Sequence, residues 1–229
     1  MNRTFRLLAA AALLCSAPAS AKPKAVPGAK LAFARGTVTV ESQGRVHPGE
    51  AGEPLNEGDA VTTGDKGTAV VELADGSRLK LRESGRMVLK FPAPRSPVTD
   101  IFLSFGSVFA KVAKQAPGAQ FHVSTPSAVA AVRGTRFFTA YGRAHGKARD
   151  LWVCVNEGAV EVTTTASTKG VRVPAGKGVL IKSGLDTTKP QAYNWTKALN
   201  WNMDPAAGAV EDKTDLDGAY ADLLDQDYH

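Results

Sequence analysis

The chain is short of the residues on which most enzymatic and metal chemistry depends. It has two cysteines and four histidines in 229 residues. Cys15 falls in the N-terminal apolar run, so Cys154 stands alone in the body and an internal disulfide there is excluded. One thiolate cannot build a structural zinc site. His47, His122, His145 and His229 show no helical ligand spacing. Long apolar runs are missing as well. Leu7 to Cys15 is well below the roughly 20 residues needed to span a bilayer. No Gly-x-Ser-x-Gly elbow, phosphate loop or dinucleotide fingerprint occurs. Ser124 and Thr125 lie beside His122, but no carboxylate follows in the neighbouring sequence to orient the imidazole. These absences predict a non-enzymatic protein with no catalytic residues, no cofactor and no metal. Cys154, within the apolar strand pattern Leu151-Trp152-Val153-Cys154-Val155, reads as a buried, inert thiol.

What is present begins with an export pattern. Arg3 and Arg6 precede the apolar run, and Ala19-Ser20-Ala21 offers a small-x-small cleavage site. Residues 1–21 therefore read as a cleavable secretory signal peptide, leaving no spanning helix and placing the protein where ATP is absent. Charge is unevenly distributed over the remainder. From Asp204 to His229 there are eight acidic residues against Lys213 alone. Lys22 to Met203 carries twenty-five Lys and Arg against fourteen Asp and Glu, a balance of +11. Such a basic body outside the cytoplasm suits anionic envelope polymers or lipid head groups better than nucleic acid; a plain solvated surface is the other reading.

Residues 22–30 read as a linker. From Leu31 to Gly184 the pattern is that of short strands. Apolar residues alternate in Val38-Thr39-Val40, Leu79-Lys80-Leu81, Val160-Glu161-Val162 and Val171-Arg172-Val173, with turn residues at Gly58-Asp59, Gly64-Asp65-Lys66-Gly67, Asp75-Gly76 and Ala175-Gly176. Asp75-Gly76 predicts a hairpin with both central residues at positive φ. A diverged repeat is visible. Gly36-Thr37-Val38-Thr39-Val40, Val46, Gly58, Val61 and Gly64 resemble Gly158-Ala159-Val160-Glu161-Val162, Val171, Gly176, Val179 and Gly184. Each copy reads as a glycine-opened strand, a second strand, a glycine corner and a third strand. The fold class expected is all-β, a solenoid or sandwich that turns corners at glycines.

Three prolines in Phe91-Pro92-Ala93-Pro94-Arg95-Ser96-Pro97 divide this body, 31–184, into modules of about 31–90 and 98–184. Joined as one continuous body they avoid the small cores that two separate halves would have. Tyr193, Trp195, Leu199 and Trp201 predict that 185–203 packs back onto the sheet, whereas 204–229 reads as an acidic, disordered tail with a short helical stretch near its end.

The segment Phe121 to Phe137 departs most from its surroundings. A strand runs into a proline turn, a small apolar run follows, and Arg133-Gly134-Thr135 restarts a β-branched and aromatic strand. Gly134 supplies backbone freedom. Arg133, alone in an uncharged stretch, reads as a buried or half-buried guanidinium satisfying carbonyls at a corner or pairing with an internal acid, or as a bidentate ligand for a carboxylate or phosphate. Arg136 reads as exposed.

Thr125-Pro126, Ala128-Val129-Ala130-Ala131-Val132-Arg133-Gly134-Thr135 and Phe137 resemble the signature of the FecR domain, named after the ferric-citrate regulator. Leu55, Gly58-Asp59, Val61-Thr62-Thr63-Gly64, Ala69 to Leu73 and Asp75-Gly76-Ser77 resemble its N-terminal part, and Val155 to Val162 with Ala175-Gly176 its C-terminal part. The resemblance covers about residues 33–184. It implies an all-β, non-enzymatic module outside the cytoplasmic membrane, periplasmic or secreted. The implied partner is an envelope protein, with an anionic envelope glycan (peptidoglycan or lipopolysaccharide) as the alternative. Transmembrane regulators of the family relay a receptor signal to a sigma factor. Here a cleavable leader stands in place of their cytoplasmic and spanning segments, so a free-standing exported member is expected. Thr125, Pro126, Val132, Arg133, Gly134, Thr135 and Phe137 are the signature positions, read as structural with partner contact in second place.

Overall fold

The computed structural model describes residues 28–92, 97–145 and 148–219. The signal-peptide expectation for 1–21 lies outside them, as do linker residues 22–27, loop residues 93–96 and the last ten residues of the tail. Seventeen strands are formed by the described residues: β1 (Ala29–Arg35), β2 (Val38–Ser42), β3 (Arg45–Pro48), β4 (Pro54–Leu55), β5 (Ala60–Thr63), β6 (Thr68–Leu73), β7 (Arg78–Leu81), β8 (Gly85–Lys90), β9 (Val98–Lys111), β10 (Gln120–Ser124), β11 (Ala128–Val132), β12 (Arg136–His145), β13 (Ala148–Glu157), β14 (Ala159–Thr164), β15 (Val171–Pro174), β16 (Gly178–Lys182) and β17 (Asp186–Thr187).

They make two sheets that share one strand. The first runs β4-β1-β6-β7-β9-β12-β13-β16-β17. The second runs β3-β2-β5-β8-β9-β10-β11-β14-β15. All neighbours are antiparallel except β9 and β10. β9 is fourteen residues long. Its first part pairs with β8 and β10, its last part with β7 and β12. The strand changes sheets near Gly106, whose φ is +91° and where an added Cβ would come within 2.4 Å of Gly85 Cα. Only glycine permits that crossing.

Most other transfers between sheets also fall at glycines, among them Gly36 between β1 and β2, Gly64–Gly67 between β5 and β6, Gly134 between β11 and β12, Gly158 between β13 and β14, and Gly176 between β15 and β16, whereas the passage from β7 to β8 turns at Ser84, with φ +51°. This is an all-β sandwich of short strands and glycine corners, with short 3-10 turns after the last strand. The repeat holds for the first two strands only. β2–β3 and β14–β15 are matching glycine-opened hairpins, but Val61 lies on β5 beside β2, whereas Val179 lies on β16 beside β13 in the other sheet. The Asp75-Gly76 hairpin forms as expected between β6 and β7 with a different turn. Gly76 alone has positive φ (+82°) and its N–H bonds back to Leu73. That is the longer loop closed by a glycine, in which Asp75 need not leave the ordinary backbone region.

Between the sheets lies one core in which Leu31, Val40, Leu55, Val61, Leu81, Met87, Leu103, Phe121, Phe137 and Val160 are inaccessible to solvent. Each contributes roughly 1.5–3 kcal/mol by leaving water. The outward face of the second sheet is polar, with Thr39, Glu161 and Arg172 turned to solvent or half-buried. The middle of the first sheet's outward face is apolar. Val70, Phe109, Phe138, Trp152, Cys154 and Leu180 project from it, and the chain returns across them as a strap, residues 191–219, contributing Tyr193, Leu199, Met203 and Val210 to a second core. Trp152 meets Tyr193 edge-on at 4.2 Å, and Phe109 meets Trp201 edge-on at 5.2 Å. The disorder expected for 204–217 is therefore not what the fold shows. Val210 is buried, and Asp204 caps a 3-10 turn by accepting the Ala206 N–H. Net charge and low apolar content suggested a tail that cannot order itself, but the body supplies the cations and the apolar wall.

Candidate functional site

The signature segment is stretched over β11 and its two ends, so its residues do not form one site. At the first end Thr125 is buried. Its Oγ1 accepts the N–H groups of Ser127 (3.3 Å) and Ala128 (3.1 Å), which closes the turn that leaves Pro126 exposed. At the other end Thr135 Oγ1 donates to Ala159 O at 3.0 Å, and Thr135 O accepts from Val112 N at 2.9 Å. That ties β12 to both β14 and the end of β9. Gly134 has φ +79°, with Lys114 Cα 3.2 Å from where a Cβ would stand. Val132 and Phe137 are core residues.

Arg133 overturns the expectation of a buried, structural guanidinium. It is exposed, and no hydrogen bond or ion pair to it is found among the described residues, so it satisfies no buried carbonyl. The glycine turns the backbone just there, and the side chain is carried off the corner into solvent. Arg136, expected to be exposed, is half-buried and pairs with Glu157 at 3.0 Å. Thr135, not Arg133, holds this corner.

The buried cations lie elsewhere, under the strap. Lys80 is inaccessible to solvent. Its Nζ donates to Asn200 O (2.5 Å), Asn202 O (2.9 Å) and Val210 O (2.9 Å), and lies 4.2 Å from the Phe109 ring centre. Burial pulls its pKa down to about 8, against the partial compensation of Asp212. Arg82 donates to Asp212 O and Thr214 O and faces the Asp212 carboxylate, itself almost wholly buried, at 3.3 Å. Arg35 pairs with Glu211 at 2.5 Å. Three cations of the body thus clamp the acidic segment. Sequence reasoning missed this, because Leu79-Lys80-Leu81 has the alternation of a half-exposed strand and nothing local shows that the outward face is covered.

Two adjoining clefts open at the Gly106 end of the sandwich. The larger, about 910 Å³, lies between the strap (Lys213–Asp217) and the β9–β12 corner, with Phe105, Tyr141 and Arg149 on its walls. The smaller, about 390 Å³, runs on past Ser127 and Thr165 to Leu185. Pro126, Tyr141 and Arg149 border both. Phe105 and Leu185 are exposed large apolar side chains at this end, 39% and 63% accessible. An open surface of aromatic, aliphatic and arginine side chains is suited to contact with another macromolecule.

No group of three or more His, Cys, Asp and Glu that could hold a metal is found among the described residues. The structure does bring a carboxylate to the His122 region. Asp100 is the register partner of His122, but it accepts the Ser124 hydroxyl at 2.5 Å and lies 3.5 Å from Lys90. With the serine bonded to the acid, the hydrogen-bond order of a nucleophile, base and orienting acid is absent from these contacts. Burial pushes the Cys154 thiol up to about 12, so it stays protonated and unreactive. His47 shares a hydrogen bond with Glu53 at 2.5 Å beside β3. No described helix is long and apolar enough to cross a membrane.

The fold is an all-β sandwich with two clefts open at one end. Residues 59–161, somewhat under half of the chain, match the family model described as FecR protein. The fold is similar to two crystal structures titled as a candidate anti-sigma factor from Parabacteroides distasonis ATCC 8503, solved at 1.65 and 2.50 Å. Each has a TM-score of 0.50 and 20% identity over 61% of this chain. The chain spans 63% and 62% of the length of those two chains. No curated protein matches it.

Proposed function

We propose that this protein is a non-enzymatic signalling or regulatory module of the cell envelope that works by protein–protein contact. The observation that carries the reading is the FecR match at 59–161, a stretch whose corners hold the Pro126–Tyr141–Arg149 clefts open at one end of the sandwich. The anti-sigma titles of the structural neighbours agree with a regulatory role. The export pattern of residues 1–21 supports a role outside the cytoplasmic membrane, periplasmic or secreted. Retention on anionic envelope glycan through the basic body is the competing reading.

A photo-reactive amino acid placed at Phe105 or Leu185, in cells of the source organism, tests the proposal. It predicts a discrete protein adduct from these positions and none from Val46, which is exposed at the far sheet edge. Absence of any adduct from the cleft positions, together with salt-sensitive retention on purified cell-wall or lipopolysaccharide material, would transfer the function to glycan binding.

A further inference from the structure

The outward face of the first sheet carries a row of charge in register across six strands. Lys30 of β1 is opposite Glu72 of β6, Glu72 opposite Arg78 of β7, Arg78 opposite Lys111 of β9, Lys111 opposite Arg136 of β12, and Arg136 opposite Glu157 of β13. At its centre three cations are direct neighbours on adjacent strands. Like charges opposite one another destabilise a sheet, so Arg78–Lys111–Arg136 is an arrangement that folding alone disfavours. The flanking acids answer only the outer two. Glu72 holds Arg78 at 2.9 Å and Lys30 at 3.0 Å, and Glu157 holds Arg136 at 3.0 Å. Lys111 is exposed and has no ion pair among the described residues. Arg136 Nε is buried without a hydrogen-bond partner. Lys114 and Arg133, both exposed, lie next to the row beyond the ends of β9 and β11.

The same strand shows what such cations bind. β7 presents Arg78 and Lys80 on one face, and Arg82 follows directly. Lys80 and Arg82 are occupied by the acidic segment 200–214, through its carbonyls and the Asp212 carboxylate, while Arg78 is left uncovered. We infer that the Arg78–Lys111–Arg136 row is a docking site for an acidic, extended segment of a partner protein, laid beside the strap on the outward face. Neighbouring strands are about 4.8 Å apart, which puts the backbones of Arg78 and Arg136 roughly 10 Å apart; an extended segment spaces same-side carboxylates about 7 Å apart, so two of them bracket Lys111. The inference deepens the protein-contact reading and rests on it.

The probe is a fluorescein-labelled octaglutamate peptide, titrated by anisotropy at low and at physiological salt. The triple substitution R78Q/K111Q/R136Q is compared with R45Q/K169Q/R172Q, which removes equal charge from exposed positions around β3 and β15. The row predicts salt-dependent binding weakened at least tenfold by the first set and less than twofold by the second. K111Q alone weakens binding while melting no lower than the parent, which keeps the test valid if the triple variant folds poorly. Equal weakening by both sets, or no peptide binding by the parent chain at low salt, overturns the assignment. A heparin fragment binding more than tenfold tighter than the peptide through the same residues overturns the choice of occupant. Cross-linking at Phe105 together with equal weakening of peptide binding by both sets shows the row wrong and the module reading intact; absence of any adduct at the cleft positions overturns the reading on which the row rests.

Discussion

Replacing Lys80 with methionine should detach the strap while leaving the sandwich folded. Methionine matches much of the lysine stem and its contact with Phe109, so the change removes chiefly the three N–H donors. Three strap carbonyls then lose their partner. The Val210 carbonyl bond is buried, whereas those of Asn200 and Asn202 are only partly so and can recruit water. An unsatisfied buried acceptor costs about 1–3 kcal/mol. Full cost at Val210 and partial cost at the other two gives roughly 3 kcal/mol, reduced by relief of the ammonium desolvation. In domains of this size 1 kcal/mol moves Tm by about 2–4 °C. A fall of roughly 5–10 °C is therefore expected if strap and body melt together. If they do not, the loss is local. Trp195 and Trp201 lie in the strap layer and report it as a red shift in fluorescence, with new protease cleavage between 198 and 214 and the body's far-ultraviolet spectrum unchanged. A variant with parental melting, fluorescence and protease resistance would show that the carbonyls do not depend on Lys80.

The pH response of the same residue has a definite sign. Its folded pKa, about 8, is below the ordinary 10.5, so between those values the unfolded chain binds more protons and stability attributable to Lys80 rises with pH; denaturant titrations from pH 7.5 to 10 should show that slope in the parent and lose it in K80M. Glu211 goes the other way. Its carboxylate is held below the usual 4.5 by its own backbone hydrogen bond and then by Arg35, so its contribution is present above that value and lost on acidification, and strap proteolysis should begin earlier in acid for R35Q. Thr135→Val should cost about 1–2 kcal/mol in chemical denaturation by leaving Ala159 O unpaired, while Arg133→Ala, exposed, should stay within about 0.5 kcal/mol. Equal effects of the two would reverse the assignment of the corner. Cys154 should resist thiol reagents at pH 8 until the protein unfolds; rapid native labelling would mean that the strap opens freely.

How far the structure could be read from the sequence depended on whether a signal was local. Alternating strands and glycine corners are local, and β2, β14 and the transfers at Gly36, Gly134 and Gly158 followed from them. The Asp75-Gly76 turn was placed correctly but given the wrong geometry, since the dipeptide serves two loop lengths and only pairing distinguishes them. Arg133 misled because an arginine in an apolar stretch looks buried, although a positive-φ glycine beside it redirects the chain. Lys80 misled in the opposite sense. A lysine between leucines looks solvated, and only the return of residues 200–210, more than a hundred positions later, makes it the most buried charge described. The clefts depend on Phe105, Pro126, Tyr141 and Arg149, which meet across sequence distances that no local pattern reports.

The two outward faces explain why the strap matters. Alternation in Val38-Thr39-Val40 and Val160-Glu161-Val162 leaves the second sheet a polar exterior that needs no cover. Val70-Val71, Phe137-Phe138 and Leu151-Trp152-Val153-Cys154 are apolar at consecutive positions, which in a sheet means burial on both faces. The first sheet therefore requires a third layer, and this chain builds it from the strap, whose aromatic and aliphatic side chains lie on the sheet and whose acidic part is held by backbone carbonyls to Lys80 and Arg82 and by an ion pair to Arg35. Such a layer opens at lower cost than the sandwich beneath it. Opening it would bare Phe109, Phe138 and Trp152 together with two cations, directly beside the Arg78–Lys111–Arg136 row. An acidic partner segment that reached from the row toward Lys80 would compete with the strap for the same donors. The proposed docking at the row would thereby be coupled to strap position, and K80M, which loosens the strap, should change peptide binding at the row as well as stability.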